Sequence, residues 1–302
     1  MNSSETVPES AGVSDPGDRP ATPQPFYWSV RRELWENRSI YVAPILVAIV
    51  VLFGFLVSTI GLPERRREVL LLDPAKARAA IEAPYDMAAM MLILTAFIVG
   101  VFYCLDALYG ERRDRSVLFW KSMPVSDWTA VLSKMAVPLV ILPMITFVIT
   151  IAMQLLMLLT SSAILSMKGQ SAAALWTLPW LQMSSGLLYH LVTVHSLYYA
   201  PIFGWLLLVS AWAKRLPFLW AFLPLAAIGV IEKIVFDTAH FATMLGSRIS
   251  GGMEANPGKG MMMLWPSHPL EFLTRPGLWI GLAVAATCVA GAVRLRRYRD
   301  PI

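Results

Sequence analysis

From Met135 to Met167 the chain runs for 33 residues without a charged side chain, and from Gly169 to Ala213 for another 45 without Asp, Glu, Lys or Arg. Lys168 alone separates the two runs. About 20 apolar residues in a helix cross the hydrocarbon core of a bilayer, where water cannot satisfy the backbone and only helices or closed barrels survive. The whole chain follows suit. It is 57% apolar and 15% charged, against roughly 45–50% and about 25% in soluble domains. Its mean hydropathy is +0.59. These values exclude an ordinary soluble enzyme, a disordered chain and a fibrous one, because so few charges cannot cover so much apolar surface.

The formal charge of +5 comes from short basic clusters between apolar runs. That pattern fits the flanks of membrane helices and argues against a nucleic-acid groove. Cys104 and Cys288 lie inside apolar runs and form neither a disulfide framework nor a metal pattern.

Six spans are expected, at about 40–60, 87–109, 131–161, 187–213, 218–236 and 276–293. The first, Ile40 to Ile60, holds 21 uncharged residues, about 31 Å of helix. Residues 64–86 read as a polar loop with five acids and five bases. Pro138, Pro143 and Pro201 are expected to kink the third and fourth spans. Residues 169–184, with Trp176 and Trp180, read as interfacial. Residues 1–25 are rich in Ser, Pro, Glu, Asp and Gly and read as a disordered tail without the features of a signal peptide, so the first span is expected to direct insertion. Next comes FYWSVRRELWENR, Phe26 to Arg38. Tyr27, Val30 and Leu34 recur at helical spacing beside Trp28 and Trp35, with three arginines interleaved. An amphipathic helix at the membrane surface is expected there.

Of the 25 Lys and Arg, 15 fall on one side if the N-terminus is cytoplasmic. The positive-inside rule therefore favours both termini in the cytoplasm.

Catalytic and nucleotide motifs are missing from the sequence. Gly258-Lys259 lacks the glycine five positions earlier and the Ser or Thr that a phosphate loop needs. His190, His195, His240 and His268 form no zinc-protease pattern, and five positions put His190 and His195 on different helical faces. Met261 to Met263, three in a row, do not converge on a metal. Two acids lie within spans, where a carboxylate is costly and faces protein, water or a cation. Asp106 sits near one helix end. Glu232 sits towards the far end of its span. Each reads either as a structural acid or as part of a gating or substrate path.

The stretch 110–128 is the most specific feature. Val117, Leu118, Phe119 and Trp120 form an apolar knot between Glu111, Arg112, Arg113, Asp114, Arg115, Ser116 on one side and Lys121, Met123 on the other. An apolar anchor with flanking charges suits a short helix that docks on a soluble partner.

Here CLDALYGERRDRSVLFWKSMPVSDWTAVLSK resembles the first cytoplasmic loop of ABC-2 type permeases, the membrane subunits of one class of ABC transporters. YAPIFGWLLLVSAWAKRLPFLWAFLP and the RLRRYRD ending are also similar to that family, and the resemblance runs from Phe26 onward. It implies an all-α membrane protein of six transmembrane helices, with an N-terminal interfacial amphipathic helix and a cytoplasmic coupling helix over Glu111 to Met123. It implies an exporter in the inner (plasma) membrane, with one transmembrane domain over 26–302. The partners implied are an ABC ATPase subunit, a second permease chain (the same or a relative) and membrane lipid, with no nucleic acid. No cofactor is expected in this chain. ATP and magnesium belong to the ATPase, and this chain is not itself an enzyme. The competing readings are a secondary transporter, which ought to show inverted repeats and mid-membrane charges, and a membrane assembly factor or embedded enzyme.

Overall fold

The computed structural model describes residues 25–61, 64, 69, 71–116, 125–249 and 271–298. Within them the chain is helical, with no strand. In chain order the helices are α1 (Pro25–Glu36), α2 (Ser39–Ser58), α3 (Pro74–Ala107), α4 (Tyr109–Arg113), α5 (Asp127–Ala136), α6 (Leu142–Met167), α7 (Ala173–Trp176), α8 (Trp180–His190), α9 (Ala200–Trp212), α10 (Pro217–Phe236), α11 (His240–Ile249), α12 (Glu271–Thr274) and α13 (Pro276–Tyr298). Two π-helical segments, Val137–Ile141 and Leu191–Tyr198, join α5 to α6 and follow α8.

Five runs are long and apolar enough to cross a membrane: Ser39–Gly61, Pro74–Arg113, Asp127–Met167, Pro217–Phe236 and Pro276–Tyr298. A sixth forms if Trp180–Tyr198 and Ala200–Trp212, bent by 45°, count as one span. Large apolar side chains point outwards along these helices, among them Val50, Phe53, Leu94, Val148 and Leu223. In α10 only Ala221 is buried. Such a surface is stable against lipid or another apolar helix, not against water.

Three boundaries differ from the sequence reading. The expected loop 64–86 is helical from Pro74 onward. Proline opens the helix at its first position, PAKARAAIEA has high helix propensity, and Arg78 Nε meets Glu82 Oε1 at 2.8 Å one turn apart. The third span begins at Asp127, where Ser126 caps the helix by accepting from the Thr129 N–H at 3.1 Å. The fourth begins at Trp180, inside the stretch read as interfacial. The expected tail falls outside the described residues except for Pro25, which opens α1.

Prolines lie where the helices change type. Pro138 falls within the first π segment, Pro143 within the first turn of α6 and Pro201 within the first turn of α9. The 45° bend lies at Pro201, whereas Asp127–Met167 stays one run past Pro138 and Pro143. At that bend the Tyr199 N–H reaches back to the Val194 carbonyl, five residues away, at 3.0 Å. The two π segments are tied together by Ser196, whose Oγ donates to the Leu139 carbonyl.

Two apolar clusters form the core. One gathers α3 from Ala96 onward with α5, α9 and α13, around Cys104, Val131, Phe203 and Ala292. The other gathers the earlier half of α3 with α6 and α8, around Leu92, Met157 and Leu187. At the α9–α13 contact a Cβ on Gly204 would stand 3.2 Å from the Ala285 carbonyl oxygen, a tight contact, so glycine eases this close approach.

Candidate functional site

The largest group of charges in the described residues is hidden at one end of the bundle. α1 sets the first piece. Its inward face carries Ser29, Val30, Glu33 and Leu34, while Tyr27, Trp28 and Trp35 are exposed and Arg31 lies over both tryptophan rings. Helical spacing thus places Glu33 on the same face as Val30 and Leu34. It is fully buried.

Lys134 of α5 meets it, Nζ to Glu33 Oε1 at 2.8 Å, and the same ammonium lies 3.1 Å from Glu111 Oε1 of α4. Arg32 Nη2 bridges the same two carboxylates at 2.8 and 3.1 Å. Tyr103 of α3 donates its hydroxyl to Glu33 Oε2 at 2.8 Å. Arg296 of α13 reaches Glu111 Oε2 at 3.4 Å and Asp127 Oδ1 of α5 at 2.7 Å. Three acids and three bases therefore balance in formal charge, which is the condition for keeping ions out of water. Burial by itself raises the carboxyl pKa of Glu33. The Lys134 ammonium, then Arg32 and the Tyr103 hydroxyl, outweigh it and hold that pKa below the usual carboxylate value.

Beside this cluster α3 passes into α4 at Leu108. Ser210 Oγ accepts hydrogen bonds from the Leu108 and Tyr109 N–H groups at 3.0 and 2.9 Å. Arg112 Nη2 donates to the carbonyls of Ser210, at 3.0 Å, and Ala213. It thereby satisfies the open C-terminal end of α9. Leu108 to Arg112 is thus bound to α9, and Glu111 to α1, α5 and α13.

The expected coupling residues divide. Glu111 and Arg112 turn inward, at 8% and 5% exposure, and bind neighbouring helices. Arg113, Asp114 and Arg115 face outward, with Arg113 Nε 3.0 Å from Asp114 Oδ1. Ser116 is half-buried and donates to the Glu111 carbonyl at 3.4 Å. Leu118, Phe119, Trp120, Lys121 and Met123 lie outside the described residues.

The two acids within spans are not brought together. Asp106 is exposed at the end of α3, beside Gly110. Glu232 accepts from the His240 and Phe241 N–H groups, both at 2.8 Å, and from Thr238 Oγ1 at 2.9 Å. It therefore caps the start of α11 from the end of α10. His190 and His195 are both buried, and His195 packs against the rings of Tyr199 and Phe203. Among the described residues no three His, Cys, Asp or Glu side chains converge as metal ligands.

Sequence reasoning missed Glu33, Tyr103, Asp127, Lys134, Ser210 and Arg296 as members of a site. One signal was available: Lys134 interrupts the start of an apolar run, and a cation there needs a partner.

No family model, no curated protein and no solved structure matches the chain.

Proposed function

We propose that this chain is the membrane-spanning permease subunit of an ABC exporter, of the ABC-2 type, driven by a separate ATPase that docks on Glu111 to Met123. The observation that supports this most is the position of Glu111. The first residue of the docking segment receives cations from α1, α5 and α13, and its neighbour Arg112 holds the end of α9. A push or pull at Glu111 and Arg112 would therefore reach four helices through direct bonds.

In this reading the exposed Arg113, Asp114 and Arg115 set the docking angle, and Phe119 and Trp120 fill a pocket of the ATPase. α1 lies on the inner face of the plasma membrane, and both termini are cytoplasmic. ATP and magnesium act in the ATPase, and a second permease chain, identical or related, completes the path. Asp106 then belongs to the inner end of the bundle and Glu232 to the outer end.

The test is a pull-down of the copurifying ATPase with wild-type permease and with Phe119→Ala/Trp120→Ala, alongside transport in reconstituted vesicles. Loss of one buried aromatic anchor costs an interface about 2–4 kcal/mol, or roughly 30- to 700-fold in affinity. The double variant is expected to lose the ATPase or to uncouple hydrolysis from transport while still purifying as a folded protein. Unchanged retention together with unchanged transport overturns the assignment of this segment.

A further inference from the structure

The turn between α9 and α10 carries a feature that the proposed function does not use. Trp212, Ala213, Lys214 and Trp220 enclose a surface cavity of about 180 Å³. The two indoles meet edge to face, with centroids 4.8 Å apart. This volume lies below the about 300–1,000 Å³ of sites that enclose a drug-sized ligand, so the cavity suits a headgroup and not a whole small molecule.

The one charged side chain in its lining is the cation Lys214. Lys214 and Arg215 are adjacent and exposed, and among the described residues neither forms an ion pair. The sequence holds no Asp or Glu from Trp128 to Ile231. The positive end of the α10 dipole points at the same turn, since Pro217 is its first residue. A cationic ligand held between tryptophans is disfavoured by this lysine. An anion is favoured. Tryptophans at the ends of two apolar helices place the cavity at headgroup depth, where the available anion is a phospholipid phosphate.

We infer that the Trp212–Trp220 cavity binds the headgroup of an anionic phospholipid, with its phosphate on Lys214 and Arg215. The Ala213 carbonyl on this turn also accepts from Arg112. A bound headgroup therefore stiffens the turn that anchors Leu108 to Arg112.

The test uses the full chain in detergent, without ATPase. Phosphatidylglycerol and phosphatidylcholine of matched acyl chains are titrated in, and retained lipid is read by native mass spectrometry. Wild type is expected to prefer phosphatidylglycerol. Lys214→Gln/Arg215→Gln is expected to lose about tenfold of that preference, about 1.4 kcal/mol. Lys168→Gln, at the far end of α6, is expected to keep it. Equal binding of the two lipids by wild type overturns the inference, even if the double variant fails to fold. So does a double variant that folds and retains the full preference. Inorganic phosphate that displaces phosphatidylglycerol at millimolar concentration would make the site one for free anions and overturn the lipid assignment.

Discussion

Lys134 Nζ and Glu33 Oε1 lie 2.8 Å apart, with side-chain exposures of 2% and 0%, although 101 residues separate them in the chain. The pair closes α1 onto α5, with Glu111 on the same ammonium and Arg32 on the same carboxylate. α1 is therefore fixed to the bundle through charge, although its four aromatic residues, Phe26, Tyr27, Trp28 and Trp35, face outwards. The arrangement costs desolvation of both ions, and mutual attraction together with the Tyr103 hydroxyl offsets it.

Lys134→Met should destabilise the protein by about 3 kcal/mol, the lower end for removing one partner of a buried pair, because Arg32 remains beside Glu33. Combining it with Glu33→Gln should cost less than the two single changes added together, by about 0.5–3 kcal/mol. Thermal or denaturant unfolding of the four proteins in detergent measures this. Strict additivity would show that the two groups are not coupled.

Acid should weaken the same site. The carboxyl pKa of Glu33 is held below its ordinary value of 4.5 in the fold. Its contribution to stability is complete above the unfolded pKa and is lost as pH falls through the lower, folded one. Unfolding midpoints measured from pH 7 down to pH 3 should fall for wild type below about 4.5. Glu33→Gln should start lower and decline less steeply over that window. Parallel curves would remove Glu33 as the source.

Ser210→Ala should leave the Leu108 and Tyr109 amides without their acceptor. An unsatisfied buried group costs about 1–3 kcal/mol, and Ser210 is fully buried. Hydrogen exchange over residues 108–113 should accelerate while exchange in the middle of α6 stays unchanged.

Under the proposed function, Glu232→Gln should loosen α11 without stopping transport. The side chain keeps an oxygen acceptor but loses the charge that faces the His240 and Phe241 amides. Faster exchange at those two amides with unchanged flux is expected. Abolished flux in a folded variant would instead place Glu232 in the transport path.

Topology gives the last prediction. Ser116 and the exposed Ser171 lie beyond opposite ends of the helical run Asp127–Met167. Single cysteines at these positions should react with an impermeant reagent from opposite sides of the membrane. Cys104 and Cys288 are buried and give little background. Labelling from one side only would exclude this run as a span.

The apolar runs were legible in the sequence because lipid solubility is close to a sum over about 20 consecutive residues. Ile40 to Ile60 needs no neighbour to declare itself, and Pro201 marks the 45° bend because a proline has no N–H to give. The helical start of α1 was visible in its spacing for the same reason. What Glu33 does was not visible, since RREL looks like an ordinary charged helix face. Its partners from other helices are residues 103 and 134, and only the packing of α1 and α3 to α5 brings them within bonding distance. Glu111 and Arg112 likewise looked alike as docking charges. The bonds of Arg112 to α9 and of Glu111 to α1, α5 and α13 hold both inward and leave Arg113 to Arg115 outside. Composition fixes which segments enter the membrane by local transfer energies. Pairing among distant charges depends on how each helix is rotated and where it crosses the next, which no local window of sequence contains.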